Sequence, residues 1–129
     1  MKKKLFLSLL FACTIVLMSA APRGFWELYV MGPDSSCHMN PDGTGTWTIE
    51  DTYGDPVDPN NQYEWFINDD EARQEGYPSW SFGRPAGVYT QSLNASLSWG
   101  EGGDDILITC KITSNGESRY EGITVSNCR

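Results

Sequence analysis

Basic residues are scarce in this 129-residue chain: nine Lys and Arg stand against seventeen Asp and Glu. Three of the nine, Lys2, Lys3 and Lys4, open the chain, so residues 21–129 hold six against all seventeen acids, a net charge of −11. Binding nucleic acid or an anionic membrane surface needs phosphates neutralised by Lys and Arg, and this balance argues against both partners. It suits a basic partner, a divalent cation or simple solubility. Histidine is scarcer still. His38 is the only one, which removes the His sets that hold transition metals. It adjoins Cys37, and sequence neighbours rarely reach each other as thiolate and base, so no Cys–His dyad is expected. No Gly-rich loop precedes a helical pattern to cradle phosphate, since Gly100 to Gly103 joins two strand patterns. Repeats, heptads and long helical periodicity are lacking as well.

The one long apolar run is N-terminal. Met1 to Lys4 is basic, Leu5 to Met18 is apolar, and Ser19-Ala20-Ala21 is a small-residue exit. The run is short for a membrane span and has the flanks of a signal peptide, so residues 1–20 are expected to be removed, with no membrane insertion afterwards. Met18-Ser19-Ala20 has lipobox character, but Ala21 stands where the lipidated Cys is required. A single domain over 21–129, secreted or periplasmic, is the expected product.

What is there is mostly alternation. Between Gln91 and Val125 apolar residues recur at every second position in three runs: Leu93, Ala95, Leu97, Trp99; Ile106, Ile108, Cys110, Ile112; and Ile123, Val125. Turn chemistry bounds them, Gly100 to Asp104 after the first and Ser114-Asn115-Gly116-Glu117 after the second. Period-two alternation means half-buried antiparallel strands, and Asn-Gly is the strongest short hairpin signal, because both turn residues must accept positive φ. These residues predict a three-stranded meander with one face on a core. Upstream, strands are predicted at Phe25 to Met31, Thr46 to Glu50, Tyr63 to Ile67, Trp80 to Phe82 and Val88 to Thr90, with at most one helical turn at Glu71 to Gly76. About seven short strands describe an all-β sandwich.

Cys13 leaves with the signal, so Cys37, Cys110 and Cys128 remain, and an odd count leaves one thiol over. If Asn115-Gly116 centres a two-residue hairpin, Cys110 faces Glu121. Cys128 then lies seven residues on, roughly 23 Å away, too far for a bridge to Cys110. Cys110 shares the inward parity of Ile106, Ile108 and Ile112 and reads as a small buried hydrophobe, unreactive in a monomeric protein. The expected disulfide joins Cys37, after the first strand, to Cys128, after the last.

Gly32-Pro33-Asp34-Ser35-Ser36-Cys37, the Tyr63-Glu64-Trp65 strand, Ser92 to Gly100 with its Leu97-Ser98-Trp99-Gly100 close, and the hairpin Ile106 to Val125 together resemble the PKD-like and immunoglobulin-like modules of secreted bacterial proteins. The resemblance covers nearly all of residues 21–129. It implies an immunoglobulin-like (PKD-like) antiparallel β-sandwich whose first strand pairs with its last, and it makes Trp65 the core Trp of the third strand. Trp47 and Trp99 share inward parity with Ile49 and Leu97 and are expected in the same core. Ile108 occupies the position of the immunoglobulin corner Tyr, so that corner bond is not expected.

For function, the leading expectation is a non-catalytic exported interaction module that meets a protein or a polysaccharide. The alternative is a carbohydrate-binding module, since Trp80, Tyr77, Tyr89 and Tyr53 lie in Gly/Pro-broken segments and an exposed ring beside acids and amides suits a sugar. Asp51, Asp55, Asp58 and Asn60 share an oxygen-rich loop of the sort that holds Ca²⁺, although their spacing fits no EF-hand, and a solvated acidic loop is the simpler expectation. No other cofactor is expected. A small secreted hydrolase with a carboxylate pair ranks third, because nothing in the spacing sets two carboxylates across a cleft.

Overall fold

Alternation in the sequence becomes two antiparallel sheets packed on a shared core. The computed structural model describes residues 24–100 and 103–128; the expected signal peptide lies outside them. Seven strands follow in order: β1 (Leu28–Met31), β2 (Thr44–Asp51), β3 (Gln62–Asn68), β4 (Arg84–Pro85), β5 (Ser92–Ser96), β6 (Ile106–Ser114) and β7 (Glu117–Val125), with one short helix, α1 (Asp70–Gln74), after β3. One sheet has the order β1-β2-β5 and the other β4-β3-β6-β7. The protein is an all-β immunoglobulin-like sandwich.

Every strand except the two-residue β4 sends apolar residues inward. Trp47 and Ile49 on β2, Leu93 on β5, Trp65 and Ile67 on β3, Ile106, Ile108, Cys110 and Ile112 on β6, and Val125 on β7 are buried in one cluster. The β6–β7 hairpin turns on Asn115 and Gly116, both at positive φ (50° and 79°), and its register sets Cys110 opposite Glu121. Trp47 needs two glycines beside it. A Cβ on Gly32 would stand 2.5 Å from the indole, and one on Gly45 would stand 2.7 Å from it.

The predicted meander is corrected by the strand partners. β5 pairs with β2, Leu93 opposite Trp47, while β6 lies between β3 and β7. Residues 91–125 therefore feed both sheets, β5 in one and β6 and β7 in the other. Alternation tells which residues face the core, and both sheets show the core the same period, so it does not name the partner strand. Trp99 follows β5 rather than lying on a strand and is only half-buried, packed against the cluster.

The first and last strands also meet differently from expectation. Phe25–Glu27 forms a 3₁₀ turn, and β1 hydrogen-bonds to β2. Contact with the chain end comes just after β1, where Ser35 and Ser126 form a parallel bridge, with Ser36 N donating to Ser126 O at 2.8 Å and Ser126 N to Asp34 O at 2.9 Å. Beside it Cys37 is bonded to Cys128, with Cα atoms 5.8 Å apart. Further down, Arg119 of β7 spans the gap. Its guanidinium donates to the carbonyls of Phe25 (2.9 Å) and Leu28 (3.3 Å), pairs with Glu121 and lies over the Phe25 and Trp26 rings. Burial pushes its pKa down.

Trp80–Phe82 and Val88–Thr90 are not strands. Asn68 Nδ2 donates to the carbonyls of Pro78, Ser79 and Ser81 and curls the first segment into a turn, while the second is tied to Trp65. Truncating Trp65 removes a fully buried indole and a loop anchor together. Trp65→Ala is expected to lower the free energy of unfolding by about 3–5 kcal/mol, read from urea denaturation. Cys110 is free and buried, and burial pushes its thiol pKa up to about 12. A thiol reagent at pH 8 is expected to leave native protein of residues 21–129 unlabelled and to modify one thiol per molecule after denaturation.

Candidate functional site

Residues that alternate with the core set on the four-stranded sheet form its outer face. β3 turns out Gln62, Glu64 and Phe66, β6 turns out Thr109, Lys111 and Thr113, and β7 turns out Ser118, Tyr120 and Gly122. Strand register arranges them in cross-strand rows: Gln62, Thr113, Ser118; then Glu64, Lys111, Tyr120; then Phe66, Thr109, Gly122.

One end of this face is aromatic. Phe82 leaves the turn after α1 and stacks on Tyr120 with ring centroids 4.0 Å apart and planes 4° from parallel, and Phe66 lies 6.3 Å from both rings. Gly122 has no side chain to obstruct the row. Thr109, between Phe66 and Gly122, is buried despite its outward parity, as expected beneath this trio. Phe82 and Tyr120 keep roughly two-fifths of their surface exposed.

The other end is a shallow groove of about 370 Å³ lined by Asn61, Gln62, Tyr63, Glu64, Tyr89, Lys111 and Thr113. Tyr89 is held there by its neighbours. Ala86 N donates to Trp65 O at 2.9 Å, Trp65 N donates to Val88 O at 3.2 Å, and the Trp65 indole N–H donates to Thr90 O at 2.8 Å. Residues 86–90 thus run beside β3 and leave the Tyr89 ring 64% exposed. Glu64 and Lys111 are direct cross-strand neighbours, yet they form no ion pair within 4 Å. Among the described residues Lys111 is the one cationic side chain without a carboxylate that close. It is also the only lysine after residue 4. Asn61 and Tyr63 each hold a buried polar atom, Oδ1 and the hydroxyl, with no hydrogen-bond partner among the described residues. Burial pushes the Tyr63 pKa up.

The four aromatics singled out in the sequence are not one platform. Tyr89 lines the groove. Tyr53 sits on the rim of a separate cleft of about 740 Å³ between the 3₁₀ turn and the β2–β3 loop. Trp80, 84% exposed, lies on the turn that Asn68 holds, and Tyr77 closes the end of α1. Among the described residues no two of these four rings pack on each other. Asp51, Asp55 and Asp58 line the Tyr53 cleft, and Asn60 does not. Asp51 Oδ1 accepts from the N–H groups of Tyr53 (2.8 Å) and Asp55 (3.4 Å), and Asp58 Oδ1 accepts from Asn60 N (2.9 Å), which folds the loop onto its own carboxylates. Among the described residues no three His, Cys, Asp or Glu side chains stand close enough to share a metal ion.

Sequence reading missed Phe66, Phe82, Tyr120, Glu64 and Lys111 as a set. Lys111 opposite Tyr120 was legible, since the Asn115-Gly116 turn fixes that register. Glu64 opposite Lys111 and the Phe82 stack were not, because both depend on pairings between strands distant in sequence.

A second anchor holds the segment leading to Tyr89. Arg84 donates to Asp69 from both Nε (3.2 Å) and an Nη (2.8 Å), while Asp69 caps α1 by accepting from Ala72 N. Burial by itself raises the Asp69 carboxyl, but Arg84's hydrogen bonds and charge, with the Ala72 N–H, hold it below its ordinary 3.8. A carboxylate lowered on folding adds stability above its unfolded value, and that stability is lost as pH falls through the folded value. Arg84→Met leaves this buried charge unpaired and is expected to cost about 3 kcal/mol at pH 7. The gap to the parent protein should start to narrow above pH 3.8, because burial alone raises Asp69 in the variant, and go on narrowing as pH falls through the parent's lowered folded value, read from denaturation midpoints across a pH series.

No protein-family model matches this chain. No curated protein matches it. Among solved structures, it is similar to the solution structure of the PKD domain (329–428) from human KIAA0319, at 20% identity over 84% of this chain and 90% of that one, with a TM-score of 0.45. The likeness is to a PKD-like sandwich and concerns the fold alone.

Proposed function

We propose that this chain is a non-catalytic interaction module, working outside the cytoplasm as a monomer, that meets its partner with the outer face of the four-stranded sheet. The observation that carries this reading is the groove beside β3. It combines an exposed Tyr89 ring with Gln62 and with Glu64 and Lys111, whose charges are not paired with each other, and the Glu64–Lys111 row continues to Tyr120 of the Phe82–Tyr120 stack. Contact surfaces favour such rigid aromatics beside polar groups, because the rings supply area at little cost in conformational entropy. Export is supported by the basic and apolar N-terminal pattern and by the Cys37–Cys128 bond, which suits an oxidising compartment. A net charge of −11 over residues 21–129 opposes self-association and supports the monomer.

Co-sedimentation with an insoluble envelope fraction of the source organism tests the surface. The protein is expected in the pellet. Tyr89→Ala and Tyr120→Ser should move it to the supernatant, while Tyr53→Ser in the separate cleft should not. Equal retention of all three variants would remove the outer face from consideration.

A further inference from the structure

We infer that the occupant of the outer-face groove is an uncharged polysaccharide, laid across β3 and β6 with one sugar ring stacked on Tyr89 and another reaching the Phe82–Tyr120 pair. This rests on the interaction-module reading and names its ligand class.

Three observations select that ligand over a protein or a second copy. First, the chemistry of the face alternates. Tyr89 lies at one side, then Glu64 and Lys111 on adjacent strands, then Tyr120 with Phe82 stacked on it. Adjacent strands lie about 4.8 Å apart, so the backbones that carry Tyr89 and Tyr120 stand on the order of 15 Å apart, with the backbones of Glu64 and Lys111 between them. The centre of a protein contact is usually depleted of charge and continuously packed, which this face is not. A sugar chain presents the matching sequence: apolar C–H faces, slightly positive, that suit the negative face of an aromatic ring, alternating with hydroxyl edges.

Second, the polar groups are unclaimed and complementary to hydroxyls. Lys111 has no carboxylate within 4 Å among the described residues and offers three N–H donors, while Glu64 offers acceptors only. Because a hydroxyl both donates and accepts, one sugar can bridge the pair that the protein leaves open. The groove is also lined by Gln62, whose amide both donates and accepts, while the Thr113 hydroxyl is shared with Ser118 at 2.8 Å. Third, charge opposes a second copy and any polyanion. A chain with eleven excess negative charges over residues 21–129 repels another copy of itself and any polyanion, and one lysine beside a glutamate does not reverse that.

Affinity electrophoresis of the purified protein in native gels tests this, with hydroxyethylcellulose, laminarin, galactomannan and soluble starch as the probes. Retardation by at least one probe is expected. Its dissociation constant should rise roughly tenfold in Tyr89→Ala, about 1.4 kcal/mol. It should also weaken in Lys111→Met and Glu64→Gln, stay unchanged in Tyr53→Ala, and shift little when salt is raised, since the contact is not ionic. Circular dichroism of each variant separates lost binding from lost fold. Migration unaffected by all four probes overturns the inference, as does retardation that Tyr89→Ala and Lys111→Met leave intact. If the probes are silent but Tyr89-dependent co-sedimentation with the envelope is abolished by prior protease treatment of that fraction, the partner is a protein: the module reading then stands and the polysaccharide inference falls. If co-sedimentation is also insensitive to Tyr89, both fall.

Discussion

Trp65 is the residue on which fold and candidate site both depend. Its indole is wholly buried in the shared core, its strand pairs with β6 at Cys110, and its own N–H and C=O face the other way, to residues 86 and 88. The indole N–H, which cannot be buried without a partner at low cost, goes to Thr90 O. One residue therefore fixes the sandwich centre and, through two main-chain bonds and one indole bond, three points on a segment that has little regular structure of its own. Trp47 plays the corresponding part in the other sheet. Its indole donates to Pro33 O at 3.0 Å and fixes the chain just after β1, in a notch that exists because residues 32 and 45 are glycine. The two loops nearest the sheet edges are thus held from inside the core.

That arrangement matters because the sandwich is open along its β1–β7 side. Unpaired strand edges invite pairing with other chains, and here the gap is closed by unlike devices: a single parallel bridge at Ser35 and Ser126, the Cys37–Cys128 bond beside it, and Arg119 stretched between β7 and the carbonyls of Phe25 and Leu28. Arginine suits the last task because its planar fork reaches several acceptors at once while its flat face rests on the Phe25 and Trp26 rings. The odd cysteine stays out of this chemistry. Cys110 lies under the sheet, where its neighbours exclude water and hold its proton on.

The outer face of the larger sheet has the opposite character. Nothing in the core requires Tyr89, Glu64 or Lys111, yet the Trp65 anchors and the Arg84–Asp69 pair hold the neighbouring backbone steady. A ring presented on ordered backbone has already given up much of the freedom that binding would otherwise remove. The acidic β2–β3 loop, by contrast, uses Asp51 and Asp58 to hold its own turns.

The sequence alone determined the strands that carry long alternation, the inward set on β2, β3 and β6, and the β6–β7 register, because period and Asn-Gly turn chemistry are local properties that need no partner. It also bounded the function, since net charge and a single histidine are properties of composition. Tertiary structure decided which sheet each strand joins, why Trp99 falls off the strand and why residues 80–82 and 88–90 are not strands: Asn68 and Trp65 take up their backbone groups from a distance. It likewise decided the site. Tyr89, Glu64, Lys111, Tyr120 and Phe82 come from five separate stretches; the Asn115-Gly116 turn sets Lys111 beside Tyr120, but β3–β6 pairing and the bonds from Trp65 and Asn68 to the two loops bring in the rest, and no local pattern records those.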